Sequence, residues 1–253
     1  MKNDKYRVVN EPVYGRFMFR QNRFVCDIES EGESIQAYLP NTGRLEELLI
    51  AGRKVLLEKR RASGKTLHDI IAIETDAYPT SEPIWASLDS RLPPKLLAWA
   101  ISTGKIPEII PSGEIHFEPP SVGGRFDLAV ETPAGEVLIE TKSVNLVDSE
   151  GTSRFPDART IRGTRHIREL ADLAKLGIGA YVVFVVTRAD ALCFAPFAER
   201  DADFAEALVQ ALKEGVRIVA FAFEAGSDFR FIGEIPVEIP GRPFPCFWPK
   251  TES

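Results

Sequence analysis

Arg125-Phe126-Asp127-Leu128-Ala129-Val130, the turn Thr132-Pro133-Ala134-Gly135 and the run ending in Glu140-Thr141-Lys142 read as two apolar strands joined into a hairpin. Residues alternate faces along a strand, so Glu140 and Lys142 point the same way. Pairing the two strands brings Asp127 to them and gathers two carboxylates and one ammonium at one spot. Hard oxygen ligands beside a cation suit Mg²⁺ or Mn²⁺, and Lys142 is then free to offset charge developing on a phosphate or to help activate water. The same spacing also fits a solvated strand face with a cross-strand salt bridge, so context has to choose between them.

Outward from the hairpin, helices and strands alternate. Leu92–Thr103 has helical periodicity, with Pro93 and Pro94 in its first turn and Gly104 after its end. Thr160–Lys175 and Asp201–Glu214 read as two more helices. Ala180–Thr187 is almost uninterruptedly apolar, as a strand buried on both faces should be. Val216–Glu224 reads as a strand, Phe229–Ile235 as an edge strand, and the Pro-rich tail from Pro236 as a loop packing its aromatics on the surface. Residues 81–253 are therefore expected to form a mixed α/β domain.

Residues 1–80 have a different rhythm. Val13–Arg20, Arg23–Glu29, Ser34–Leu39, Lys54–Lys59 and Leu67–Glu74 alternate like half-buried strands, and Gly43–Leu49 reads as a short helix between the third and fourth. That order is the OB-like barrel order. Ala77–Pro83 breaks regular structure and reads as the linker to the second domain.

Bulk properties narrow the function classes. The chain has 253 residues and a net charge of −6, which argues against whole-surface affinity for nucleic acid and leaves local patches. Residues 1–80 carry thirteen Lys and Arg against twelve Asp and Glu, or +1, and the remainder carries −7. One basic cluster is Arg53, Lys54, Lys59, Arg60, Arg61 and Lys65, which Arg20 and Arg23 can join in a groove. The other is Arg154, Arg159, Arg162, Arg165 and Arg168. The three cysteines form no metal-type pair, and three histidines make a zinc site a poor fit. A polar N-terminal stretch and the lack of a long apolar run point to a cytoplasmic chain with no membrane partner; oligomerisation is left open.

Three phrases carry a family resemblance. They are Leu39-Pro40-Asn41-Thr42-Gly43; Phe155-Pro156-Asp157-Ala158 with Thr160, Arg162-Gly163, Arg165-His166 and Glu169-Leu170; and Val182–Val186 with Arg188-Ala189-Asp190. Together they resemble the sugar fermentation stimulation protein A family over nearly the whole chain. The resemblance implies an N-terminal OB-like domain, a C-terminal domain of the PD-(D/E)xK nuclease fold, non-specific DNA binding and a regulatory link to sugar (maltose) metabolism. It maps Glu114 onto an acid before the hairpin, Asp127 onto the metal-binding aspartate, Glu140 and Lys142 onto the Glu-x-Lys pair, and Arg125 onto a basic residue two before the aspartate. Arg162, Arg165 and His166 match the phrase on the following helix. Departures fall at Asp89-Ser90, Pro94 and Phe117 to Pro120 and spare the expected ligands.

The expected site therefore has Asp127 and Glu140 as ligands of Mg²⁺ or Mn²⁺, with Glu114 completing the shell and the Thr141 carbonyl available. Lys142 orients the nucleophile or offsets charge, and Arg162 and Arg165 hold phosphate. His166 reads either as a proton relay or as a buried structural histidine bonded to Asp157 or to backbone. Nucleic-acid contacts are assigned to Arg20, Arg23, Lys59, Arg60, Arg61, Arg125, Arg162 and Arg165. The leading expectation is a DNA-binding, metal-dependent nuclease; the rival is a non-catalytic DNA-binding regulator that keeps the nuclease scaffold.

Overall fold

The structure, a computed structural model, describes residues 4–60 and 66–240. Arg61 and Lys65 of the barrel's basic cluster, and the aromatics of the Pro-rich tail, lie outside the described residues. The first strands are β1 (Lys5–Arg7), β2 (Pro12–Asn22), β3 (Val25–Ser30), β4 (Glu33–Tyr38), β5 (Lys54–Lys59), β6 (His68–Asp76) and β7 (Pro83–Ser87). β2 to β7 form one antiparallel sheet in the order β4-β3-β2-β5-β6-β7, and a parallel pairing of Ala37 and Tyr38 with His68 and Asp69 closes β4 onto β6. The result is the OB-like barrel, filled by Phe17, Ile28, Leu39, Val55, Leu57 and Ile70.

Two features of this unit depart from the sequence reading. Residues 43–49 form no helix but a single turn, because Leu45 takes a left-handed φ of 56° and its N–H donates to Asp157 Oδ2 (3.3 Å) in the second domain. The expected linker 77–83 is a reverse turn within the barrel sheet: Ala77 N donates to the Glu82 carbonyl (2.8 Å), and β7 pairs with β6 from Ala72 to Asp76. The barrel thus runs past residue 80 to Ser87, while β1 at the start of the chain joins the other sheet.

The α/β part contains α1 (Pro93–Ser102), β8 (Glu114–Phe117), β9 (Pro120–Ser121), β10 (Gly124–Arg125), β11 (Leu128–Thr132), β12 (Gly135–Val144), β13 (Leu146–Val147), β14 (Thr152–Phe155), α2 (Ile161–Lys175), β15 (Gly179–Val186), β16 (Cys193–Pro196), α3 (Ala202–Lys213), β17 (Arg217–Glu224) and β18 (Asp228–Ile235). Its seven-stranded sheet runs β1-β18-β17-β15-β12-β11-β8, with β12, β15 and β17 parallel at the centre. β15 is buried along nearly its whole length, which explains its unbroken apolar sequence. β18 is not the edge, because the three residues of β1 cover part of it.

α2 and α3 pack on one face of the sheet, where Phe204 of α3 and Phe194 of β16 meet Phe184 of β15. α1 and the barrel residues Leu56, Ile71 and Ala72 share the core on the other face with Leu128, Ile139 and Phe221. The start of the tail is also in the core, since Val237 and Ile239 are buried and residue 237 bridges Phe194. No helix among the described residues is long and apolar enough to cross a membrane.

Candidate active site

β11 and β12 pair antiparallel from Leu128↔Ile139 to Thr132↔Gly135, so the expected hairpin forms around the expected turn. The next step of that register sets Asp127 beside Glu140. Asp127 Oδ2 accepts two hydrogen bonds from Thr141, one from its N–H (2.7 Å) and one from its hydroxyl (2.6 Å). Burial and then the charge of Glu140 raise the Asp127 pKa above the ordinary carboxylate value.

Glu140 is 5% exposed. Its Oε1 accepts from Lys142 Nζ (2.5 Å) and lies 2.8 Å from His166 Nδ1 on α2. Burial alone pushes this carboxyl up, but the Lys142 charge and the His166 contact outweigh it and hold the pKa below the usual range. Its Oε2 is buried without a hydrogen-bond partner. A buried carboxylate oxygen left bare is costly, and such exceptions concentrate where a ligand is missing.

α2 is positioned by a chain of caps. Thr160 Oγ1 accepts from Gly163 N (3.1 Å), and a Cβ on Gly163 would lie 2.7 Å from that oxygen, so the cap requires glycine here. Asp201, which caps α3 by accepting from Phe204 N, also accepts from Thr160 N (2.7 Å) and ties the two helix starts together. The buried side of α2 then turns Ile167 and Leu170 to the sheet and His166 to Glu140, while Arg162, Arg165 and Arg168 stay exposed.

His166 is 1% exposed, with its second ring nitrogen unpartnered. Its partner is Glu140 rather than Asp157 or backbone. Arg165 is spent on structure: it donates to the Gly123 carbonyl (2.6 Å), while Glu169 accepts from Val122 N and Gly123 N, so together they clamp the β9–β10 hairpin. Arg162 has no ion-pair partner among the described residues and lines the cleft with Lys142.

Glu114 is not brought to this site. It pairs with Glu131, whereas Glu118 N donates to the Asp127 carbonyl (3.0 Å). Four residues of strand put Glu114 about 13 Å from that position. It joins His116 and Glu131 in an exposed group whose ligand atoms lie within 4.8 Å of one another. The acid that shares the cleft with Asp127 and Glu140 is Glu118. The antiparallel register was the signal that finds it, and a one-dimensional match to the preceding strand misses it. Arg125 is an exposed partner of Glu118 (2.6 Å).

The barrel cations divide similarly. The Arg20 guanidinium donates to the carbonyls of Asn22, Arg23, Asn41, Gly43 and Arg44 and so holds the turn that replaced the expected helix. Arg60 is engaged by Thr66 (3.0 Å) and Asp69 (3.2 Å). Lys59 is exposed near His68, away from the cleft residues. Among the described residues of this group, Arg23 is the one that lines the cleft.

That cleft consists of two adjoining parts. One part, about 570 Å³, runs between the barrel turn (Asn41 to Gly43, Leu45) and Lys142, Asn145 and Asp157. The other, about 580 Å³, contains Asp127, Glu140 and Phe117. Ser90, Thr141, Lys142, Ser143, Thr160 and Arg162 line both. The site thus sits where the barrel meets the α/β domain, with Glu118, Asp127 and Glu140 in one part and Asp157 in the other.

Comparison with known proteins supports this assignment of parts. Residues 18–84 match the SfsA N-terminal OB domain, and residues 91–228 match the sugar fermentation stimulation protein RE domain, a restriction endonuclease-like unit. A sugar fermentation stimulation protein homolog from Natranaerobius thermophilus is 41% identical over 92% of this chain and 96% of its own. One from Pyrobaculum arsenaticum is 37% identical over 92% and 98%. The structure of Pyrococcus furiosus SfsA in complex with Ca²⁺ superposes with a TM-score of 0.84 at 32% identity, covering 93% of this chain and 99% of that one. With both domains matched in order and the curated relatives aligned almost end to end, the chain belongs to the sugar fermentation stimulation protein family.

Proposed function

We propose that this protein hydrolyses phosphodiester bonds in nucleic acid with a bound divalent cation, Mg²⁺ or Mn²⁺. The observation that carries this reading is the bare, buried Oε2 of Glu140 beside Asp127, with Lys142 in contact with the same carboxylate. The donor set fits a hard divalent ion: two carboxylates, one of them oriented by both donors of Thr141, and no soft ligand. Asp127 and Glu140 would hold the ion, which when bound neutralises phosphate charge and lowers the pKa of a bound water.

The remaining roles belong to side chains of this chain. Lys142 places a positive charge at the floor of the cleft, where it favours the more negative transition state. Arg162 at the start of α2 is free to hold a phosphate oxygen. His166 orients Glu140 through Oε1 and so leaves Oε2 for the ion, as an outer partner does in many metal sites. The Ca²⁺ complex of the Pyrococcus furiosus relative agrees with hard-cation binding in this family.

The test is cleavage of labelled single- and double-stranded DNA and RNA by wild type, Asp127→Ala and Lys142→Ala in Mg²⁺, Mn²⁺ or EDTA, with folding checked for each. Cutting is expected only with metal, abolished by Asp127→Ala and reduced about 100-fold or more by Lys142→Ala. Absence of cutting by folded wild type, together with salt-dependent DNA binding that survives both substitutions, would replace this reading with the non-catalytic regulator.

A further inference from the structure

Phe117 is the last residue of β8 and stands across from Leu128, next to Asp127. Its ring is 55% exposed, yet it lines the same cleft as Asp127 and Glu140. More than half of this large aromatic, beside an acidic centre, is left outside the protein's own packing. It offers a flat apolar surface to whatever enters the cleft.

Three cations on the cleft walls have no acidic partner among the described residues: Arg23 from the barrel, Lys95 from α1 and Arg162 from α2. Asp127 and an almost fully buried Glu140 line the cleft with Lys95 and Arg162. Nucleic acid reaches these carboxylates only by entering the cleft, and each part of the cleft has a volume in the range of small-ligand sites, about 300–1,000 Å³. The acidic net charge disfavours a duplex substrate, with one negative charge per about 1.7 Å of axis.

We propose that the cleft takes one unpaired nucleic-acid strand, its backbone following Arg23, Arg162 and Lys95 and a base stacked on Phe117 beside the metal-binding carboxylates. This rests on the nucleic-acid reading of the site given above and supplies its substrate class. A sugar-phosphate strand with accessible base faces matches both the unpaired cations and the exposed ring, since only an unpaired base offers its face for stacking.

The experiment is equilibrium binding of the full chain, followed by fluorescence anisotropy in EDTA, to a labelled single-stranded DNA oligonucleotide, the same sequence as RNA, and a blunt duplex at equal salt. Single strands are expected to bind at least tenfold more tightly than the duplex, and the DNA and RNA arms decide which sugar is preferred. Phe117→Ala should weaken single-strand binding by about 5- to 150-fold, the loss of one stacked base, with duplex binding unchanged, and Phe117→Tyr should restore it. Equal or tighter duplex binding would overturn the proposal, as would a Phe117→Ala loss shared equally by both substrates or no loss at all. Cleavage plays no part in this readout: strand preference without cutting would sink the nuclease and keep the cleft, and cutting with duplex preference would do the reverse.

Discussion

At the scale of single residues, Asp127 is held at a cost to the folded chain. Burial and the neighbouring Glu140 charge disfavour its ionised form, while the two Thr141 donors recover part of the loss. Its folded pKa is raised, so its contribution to stability is fully present below the ordinary carboxylate pKa and is lost as pH rises through the folded value. Asp127→Asn keeps an oxygen for Thr141 and removes the charge. In EDTA at pH 7 it is expected to melt about 2–4 °C above wild type, the shift that ~1 kcal/mol produces in a chain of this size. The advantage should shrink as pH falls below the ordinary carboxylate range, where wild-type Asp127 is protonated as well. In saturating Mn²⁺ the order should reverse, because only wild type gains binding energy. Melting curves across pH with and without metal check all three signs. A variant less stable than wild type in EDTA would show that Asp127 is structural.

At the scale of elements, α2 does two jobs with opposite faces. Its buried side delivers His166 to Glu140; its exposed side holds the β9–β10 hairpin through Arg165 and Glu169. At the hairpin tip a Cβ on Gly123 would lie 2.9 Å from both Arg165 Nε and Glu169 Oε2, so a larger residue would push the two clamping side chains aside. Glu169→Ala removes the acceptor of Val122 N and Gly123 N. Hydrogen exchange at these two amides is expected to speed up about tenfold, the effect of ~1.4 kcal/mol, with β12 and β15 unchanged. Unaltered exchange at the tip would mean that the strand pairing alone holds the hairpin. The turn at 43–49 teaches a related lesson. Its sequence has local helix character, but Arg20 and Asp157, one in the barrel and one in the other domain, capture its carbonyls and an N–H.

At the scale of the whole molecule, the barrel and the α/β domain share one core and a set of buried polar ties. Asn145 Nδ2 donates to the Ser87 carbonyl (3.0 Å), Arg188 donates to the Asp76 carbonyl (3.1 Å), and Asp190 accepts from Tyr78 N (2.8 Å). Arg188 and Asp190 also form a buried bidentate pair. The site lies in the cleft between the two units, so their docking sets its shape. Wild type is expected to unfold in one calorimetric transition with equal calorimetric and van't Hoff enthalpies. Arg188→Ala, which leaves Asp190 buried and unpaired, should cost about 3–5 kcal/mol. Two separate transitions in wild type would show that the units are independent and that the cleft can open.

The sequence by itself determined the barrel strands, the central strand β15, the hairpin of Asp127 and Glu140, and the extent of α2, because strand alternation, helical periodicity and turn residues act over a few positions. It also contained the family phrases. Only the tertiary structure decided that Glu118 rather than Glu114 shares the cleft, that Arg20 and Arg165 bind carbonyls while Arg23 and Arg162 have no ion-pair partner among the described residues, and that β7 belongs to the barrel. Each of those outcomes depends on strand register or on docking between residues far apart in the chain, and neither is written in local pattern.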